Sequence, residues 1–411
     1  MYIRLYARTP NRSGAAGFDP GGAILSTAEA LTRKGPDGIE LDTLPREATE
    51  DDTRIFQRII STELDDEQVR QVITPARVFP RHEAVLAVHW HPEHVPMHLI
   101  RKRIDATFPK RRHELIIPTQ HNILTSYDDH TGVEVDCYNA GFHRKVQLLF
   151  HFHKSRLEDR GDVLKAMIQH TASYRASQLF EYIDSVLAES LGERVAEAAE
   201  QTGAGEKLIA FVRIHVARLK ELIERYESVT PKMMIKNKLV REYFDGLRDQ
   251  YEDRWINHAQ LFLKAVKKIV KRNFSLEYFY QDREMIEEAR ALGAGIVIPH
   301  PEQFWPILLD DLDVDGFEVW NPQSFEYTDF LIDVVHRVGS FSRKRQLLIF
   351  MGDDTHLGEK IKEPARQDPA KAAREIGVQP PWDDLAIRKR LIAAGTSRLH
   401  VIEEYRRRLD G

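Results

Sequence analysis

A recurrence runs through this chain and narrows its possible architectures: a short apolar run, then a side chain able to bind a metal. It is first met in residues 84–94, AVLAVHWHPEH, where Val85, Leu86, Ala87 and Val88 give way to His89-Trp90-His91. Apolar runs this short are expected as buried strands. Alternate side chains of a strand share a face, so His89 and His91 are expected to project together. Imidazole is the commonest neutral metal ligand near pH 7. The pattern returns at His121, at Glu134, at His151 and His153, at His300, and at Asp354 and His356. Parallel strands display such ends on one rim, where barrel enzymes carry their active sites. Imidazole and carboxylate without thiolate suit zinc, manganese or iron.

Composition removes other chemistries. The single cysteine, Cys137, excludes an intramolecular disulfide and cysteine-rich zinc motifs. A net charge of −5 argues against a globally basic nucleic-acid coat. The first 14 residues have no apolar signal core, and no run reaches the length of a membrane helix. A cytoplasmic protein with no membrane partner is expected. No Gly-x-Ser-x-Gly elbow is present and Cys137 has no evident basic partner, so serine or cysteine nucleophiles are not expected.

The chain divides by periodicity. Residues 1–80 read as an N-terminal extension, with loop over 14–22, a short helix over 28–34, and helix starts at Thr49 and at residues 64–67. Residues 81–155 alternate strands (84–88, 115–117, 132–136, 146–153) with one helix over 96–108. That helix is expected to turn Met97, Ile100 and Ile104 inward and Arg101, Lys102 and Arg103 outward. Such alternation predicts a largely parallel sheet. Residues 156–283 lose the strand signal. Apolar residues at three-to-four spacing over 208–226 and 239–269 predict a helical insertion, a hairpin or small bundle, with Thr230 and Pro231 opening its second long helix. Lys264, Lys267, Lys268, Lys271 and Arg272 form a basic face, either solvated or contacting phosphate or nucleic acid. The glycines at 203 and 205 read as an interhelical loop, since no strand precedes them. Residues 284–411 return to strands (296–298, 316–320, 347–351) and close with a charged helix over 387–409 packed outside.

The ordered strand ends resemble the PHP (polymerase and histidinol phosphatase) family of metal-dependent phosphoesterases. His89-Trp90-His91 is similar to its HxH motif. Thr119-Gln120-His121-Asn122 resembles its TDHN-like strand end, with Gln for Asp, and Gly132-Val133-Glu134 its GxE strand. Pro299-His300-Pro301, residues 316–321 and Gly352-Asp353-Asp354-Thr355-His356 resemble the remaining motifs in order, the last with Asp for Ser. One departure stands out. Gln147 occupies the place of a ligand histidine, and His151 or His153 would have to substitute. His94, or else His98, matches an extra histidine of the first motif. The resemblance covers residues 84–154 and 284–360. It implies an α/β fold: a distorted seven-stranded βα barrel, related to the TIM barrel, interrupted by the helical insertion. It further implies two or three divalent ions (zinc, manganese or iron). His89, His91, Glu134 and Asp354 would hold one, His300 with Glu134 a second, and His121, His356 and His94 a third.

The activity so expected is hydrolysis of phosphate mono- or diesters by a metal-activated water, with no catalytic side chain separable from the ligands. Arg101 and Arg144 are expected to meet the substrate phosphate. Two other readings use the same residues. A metal-dependent amidohydrolase is weakened because no lysine stands at a strand end to be a carbamylated bridge. A non-enzymatic metal-binding platform would use the helical insertion to hold partners.

Overall fold

The computed structural model describes residues 33–341 and 346–411. The readings for 14–22 and for 28–32 lie outside them. Both expected helix starts are built by local capping. Thr49 and Asp52 bond reciprocally at the head of α1 (Glu50–Ile60), and Asp65 and Gln68 do the same for α2 (Asp66–Ile73). Each pair satisfies two amide groups that the first helical turn leaves without partners.

The sheet region begins with β1 (Ala84–Ala87), β2 (Trp90–His91), α3 (Met97–Thr107), β3 (His113–Ile116), β4 (Thr125–Tyr127), β5 (His130–Asn139) and β6 (Arg144–His153). Helix α3 buries Leu99, Ile100 and Ile104, and also Arg103, which was expected to face outward. Arg103 is drawn in by a bidentate pair with Glu375 and by the carbonyls of Gln71, Val72 and Thr74. Planar guanidinium matches carboxylate geometry closely enough to be kept inside.

The insertion carries α4 (Lys154–Arg160), α5 (Asp162–Leu187), α6 (Gly192–Thr202), α7 (Glu206–Arg225), α8 (Lys238–Gly246) and α9 (Asp253–Asn273). Gly203 ends α6 at φ 67°, so residues 203–205 are loop as expected. The second long helix does not start at Pro231. Thr230 bonds back to the Tyr226 carbonyl, closing α7, and α8 and α9 are separated by residues 247–252. There Leu247–Asp249 tightens into a 3-10 turn, and Lys34 bridges Tyr251, donating to the Gln250 carbonyl at 2.9 Å and accepting from the Glu252 amide at 3.0 Å. Helix α5 gave no clear amphipathic signal because it buries residues around much of its circumference. The insertion's core also takes in Ile55, Phe56 and Ile60 of α1.

The chain returns through α10 (Asp282–Ala291), β7 (Gly295–Ile298), β8 (Gly316–Trp320), α11 (Thr328–Phe341), β9 (Leu348–Met351) and β10 (Thr355–His356). Helices α12 (Leu357–Lys360), α13 (Pro369–Ala372), α14 (Leu385–Ala393) and α15 (Arg398–Asp410) follow. The result is a mixed α/β fold with a six-stranded sheet ordered β4-β5-β6-β7-β8-β9 and two parallel pairs, β1-β3 and β10-β2. Among the described residues these ladders do not close into one barrel. A few backbone bonds join them: Asn122 N to Glu134 O at 2.7 Å with Glu134 N to Gln120 O at 3.2 Å, Thr119 N to Trp90 O at 2.8 Å, and Asp354 N to His89 O at 2.9 Å.

Within the six-stranded sheet the expected parallel order is corrected: β4, β5, β6 and β7 pair antiparallel and only β7-β8-β9 run parallel, while the pairs β1-β3 and β10-β2 are parallel as expected. The cause is local. Strands β5 and β6 are joined by a four-residue hairpin, 140–143, too short for a crossover helix. The final helix is also corrected. It breaks at Gly395 (φ 66°), and α15 packs on β1, β3, β6, β7 and β9 with Val401, Ile402, Tyr405 and Leu409 buried. It therefore closes the far end of the strands instead of lying outside. No described helix is long and apolar enough to cross a membrane.

Candidate metal centre

Because β5 and β7 run in the same sense, their C-terminal ends face one rim, while β6 ends at the opposite side. This sorts the expected ligands. His151 lies 2.9 Å from the Val88 carbonyl and 2.7 Å from the Tyr405 hydroxyl, against the closing helix α15. His153 bonds Ser155. Neither substitutes for Gln147, since a strand running the other way carries its last residues away from the rim. Gln147 itself pairs with Asp136 on the rim side. His94 is half-buried and joins no ligand group, and His98 is exposed on α3.

Seven expected residues do converge. His89 and His91 leave β1 and β2, His121 follows β3, Glu134 sits on β5, His300 follows β7, and Asp354 and His356 flank and end β10. Three overlapping trios have mutually close ligand atoms: His91-His121-His356, His89-Glu134-His300 and His89-His91-Asp354. Asp354 Oδ1 lies 3.8 Å from His89, 3.4 Å from His91 and 3.3 Å from His356. Glu134 lies 3.6 Å from His91, 2.5 Å from His121 and 3.5 Å from His300. The His91 ring is stacked between those of His121 and His356, at 4.4 and 4.2 Å.

The donor atoms fit a metal. His89 Nε2, both nitrogens of His91 and His300 Nδ1 are buried without a hydrogen bond, and the equally buried oxygens of Glu134 meet only histidines of the same group. Buried polar atoms left unpaired are costly and rare, and here they face one another. Protonation follows from the same crowding. Burial opposes charge on His91, and the neighbouring His356 and His121 add to it, so its pKa falls to about 3. That leaves the neutral ring a ligand requires. Burial also opposes charge on His89, but Glu318, Asp354 and Glu134 outweigh it and lift the pKa to about 10. Burial would raise the Glu134 carboxyl, yet the adjacent histidines hold it well below the usual range.

Sequence reading missed the supports. Glu318 accepts from His89 Nδ1 at 2.7 Å and from the His300 amide at 3.1 Å, fixing two ligands at once. Gln323 and Arg374 both donate to Asp354 Oδ2 at 2.7 Å, turning Oδ1 toward the histidines. Glu93 lies 3.5 Å from His356. Glu318 stood in a recognised strand and Glu93 in the HPEH run, but nothing local says which side chain each meets. Among the described residues, four of the six non-glycine residues at positive φ are Glu93, Asn122, His300 and Asp354, so backbone strain gathers here too.

The expected phosphate contacts are corrected. Arg101 pairs with Asp128 and covers the Tyr127 ring at 4.8 Å, outside the ligand group. Arg144 lies opposite Asn139 and so points to the sheet face away from Glu134, while Lys145, one step on, lies on the same face as Glu134 and pairs with Asp136. Beside the centre, a cleft of about 900 Å³ opens between the rim and the insertion, lined by Glu93, His94, Gln120, Lys236, Lys238 and Arg241 among others.

No family model matches the chain, and no curated protein matches it. Two solved structures resemble parts of it. One is from Bifidobacterium adolescentis, with its activity inferred to be that of a metal-dependent phosphoesterase. It has 15% identity and a TM-score of 0.37, over 78% of this chain and 99% of the other. The second is an amidohydrolase from Chromobacterium violaceum with bound sulfate and no metal. It has 14% identity and a TM-score of 0.33, over 67% and 86%. At these TM-scores neither is a template for the fold or chemistry of this chain.

Proposed function

We propose that this protein is a metal-dependent hydrolase of phosphate esters. The observation that carries the reading is the convergence of His89, His91, His121, Glu134, His300, Asp354 and His356, with buried ring nitrogens of His89, His91 and His300 left without hydrogen bonds. Their order along the chain is that of the PHP motifs, and the seven-stranded barrel belongs to the same proposal. Divalent ions held there would lower the pKa of coordinated water and neutralise charge growing on phosphoryl oxygens. The chain's own residues do the rest. Glu318, Gln323 and Arg374 orient the ligands, burial excludes bulk water, and the half-exposed His121 faces the mouth where substrate enters. Lys236 and Lys238 in the cleft offer cations to the rest of an anionic substrate.

The test is to purify the protein, count zinc, manganese and iron, and assay p-nitrophenyl phosphate and bis-p-nitrophenyl phosphate. Hydrolysis that follows metal content and is lost in His121→Ala and Asp354→Ala is expected. Full metal occupancy without turnover of either ester overturns the reading.

A further inference from the structure

The helical insertion reaches the metal rim through one carboxylate. Asp136 stands two residues beyond the ligand Glu134 on β5, so the two side chains share a face, about 7 Å apart along the strand. Asn122, which directly follows the ligand His121, holds Asp136 from two sides. Its side-chain amide donates to Asp136 Oδ2 at 3.0 Å, and its side-chain oxygen accepts from the Asp136 backbone amide at 2.9 Å. His121 in turn lies 2.5 Å from Glu134. The position of Asp136 relative to the ligands is therefore set twice, by the strand and by these hydrogen bonds.

Two cations meet that carboxylate. Lys145, opposite Tyr138 on β6 and so on the same face, pairs with Oδ1, and Arg175 of α5 lies 3.5 Å from Oδ2. Among the described residues no other carboxylate pairs with either cation. In the cleft beside the rim, by contrast, each lysine has its own carboxylate. Lys236 lies 3.7 Å from Glu93 and Lys238 2.9 Å from Glu242. At Asp136 one negative charge faces two positive ones, and one positive charge is left over. A cluster that only tied α5 to the sheet would cost least with its charges balanced.

The surplus is accessible. The Asp136 side chain is 4% exposed, against 26% for Lys145 and 37% for Arg175. An ammonium offers three N–H groups and a guanidinium five, more than one carboxylate can accept. The cluster also borders the open side of the centre. His121, whose neighbour holds Asp136, is the most exposed of the seven converging residues at 43%, with His356 next at 23%.

We propose that Lys145 and Arg175 form an anion subsite beside the metal centre. It takes phosphoryl oxygens of the substrate that the metals leave free, and Asp136 is the positioning residue that fixes both cations. The insertion then supplies part of the site itself, through Arg175. That the anion is a phosphate ester rests on the phosphoesterase reading; the binding of an oxyanion does not.

The probes are inorganic phosphate, titrated calorimetrically into the metal-loaded full-length protein, and whichever of p-nitrophenyl phosphate and bis-p-nitrophenyl phosphate the wild type hydrolyses. Lys145→Gln and Arg175→Gln should each weaken phosphate binding and raise KM by about tenfold, the scale of one lost charge-assisted hydrogen bond. Loss of binding common to ground and transition states leaves kcat within about threefold, and metal content should not change. Lys145→Arg, which keeps the charge, should recover most of the affinity. Asp136→Asn separates position from charge. It adds one more unit of positive charge, so summed charge alone predicts tighter phosphate binding, whereas cations released from their anchor predict weaker binding, the result expected. No phosphate binding by the wild type, unchanged affinity and KM in both Gln variants, a loss accounted for by lost metal, or tighter phosphate in Asp136→Asn overturns the subsite. In each case ester turnover by the wild type leaves the phosphoesterase reading standing. Phosphate binding that weakens in both Gln variants, with no ester hydrolysed by the wild type, overturns that reading and leaves the subsite.

Discussion

Glu318 illustrates what single residues do here. It touches no ligand nitrogen aimed at the metal, yet it sets the His89 ring and the His300 backbone. Replacing Glu318 by Gln should therefore lower metal affinity by about 10–100-fold without unfolding the protein; competition with a chelating indicator measures it. His151 gives a pH prediction. Burial dominates and holds its folded pKa near 3, against 6.5 unfolded, despite its bond to the Val88 carbonyl. The unfolded chain thus binds more protons between those values. Stability is full above pH 6.5 and falls as pH drops toward 3, by up to about 1.4 kcal/mol per pH unit for this residue. Urea unfolding at pH 7 and pH 5 should show a smaller loss in His151→Gln. The seven converging residues were legible in sequence because six of them lie at or just beyond the ends of apolar runs and Glu134 sits in a Gly132-Val133-Glu134 strand. Lys145 and Arg144 were not separable, since one step of strand register decides which face each takes.

At the scale of elements, existence was legible and direction was not. The apolar run of β6 was found, but its antiparallel sense removed His151 and His153 from the rim. Helix α1 shows the same limit. Its capping box announced it, but its partners lie 160 residues and more away. Asp52 accepts from Tyr243 at 2.5 Å and pairs with Arg218 at 3.1 Å, both buried in the insertion's core. Asp52→Ala would leave Arg218 buried and unpaired and should cost about 3–5 kcal/mol, read as a shifted denaturation midpoint. Asp52→Asn, which keeps hydrogen bonds to Tyr243 and the cap, should cost less.

At the scale of the whole molecule, the metal centre gathers ligands from strand ends separated by more than 260 residues, from His89 to His356. Ions that bind only the assembled centre should stabilise the fold by about 2.7 kcal/mol at a hundredfold excess over Kd. Calorimetry should show Tm falling on chelation and returning with metal, and His89→Ala should abolish the difference. The ligand types, the short strands and the helical insertion were set by sequence alone, because apolar periodicity and residue chemistry are local. Which histidines meet, which carboxylates hold them, and how the insertion's lysines face the rim were decided only by tertiary structure. Those depend on strand direction and register, and pairing between distant segments leaves no local trace.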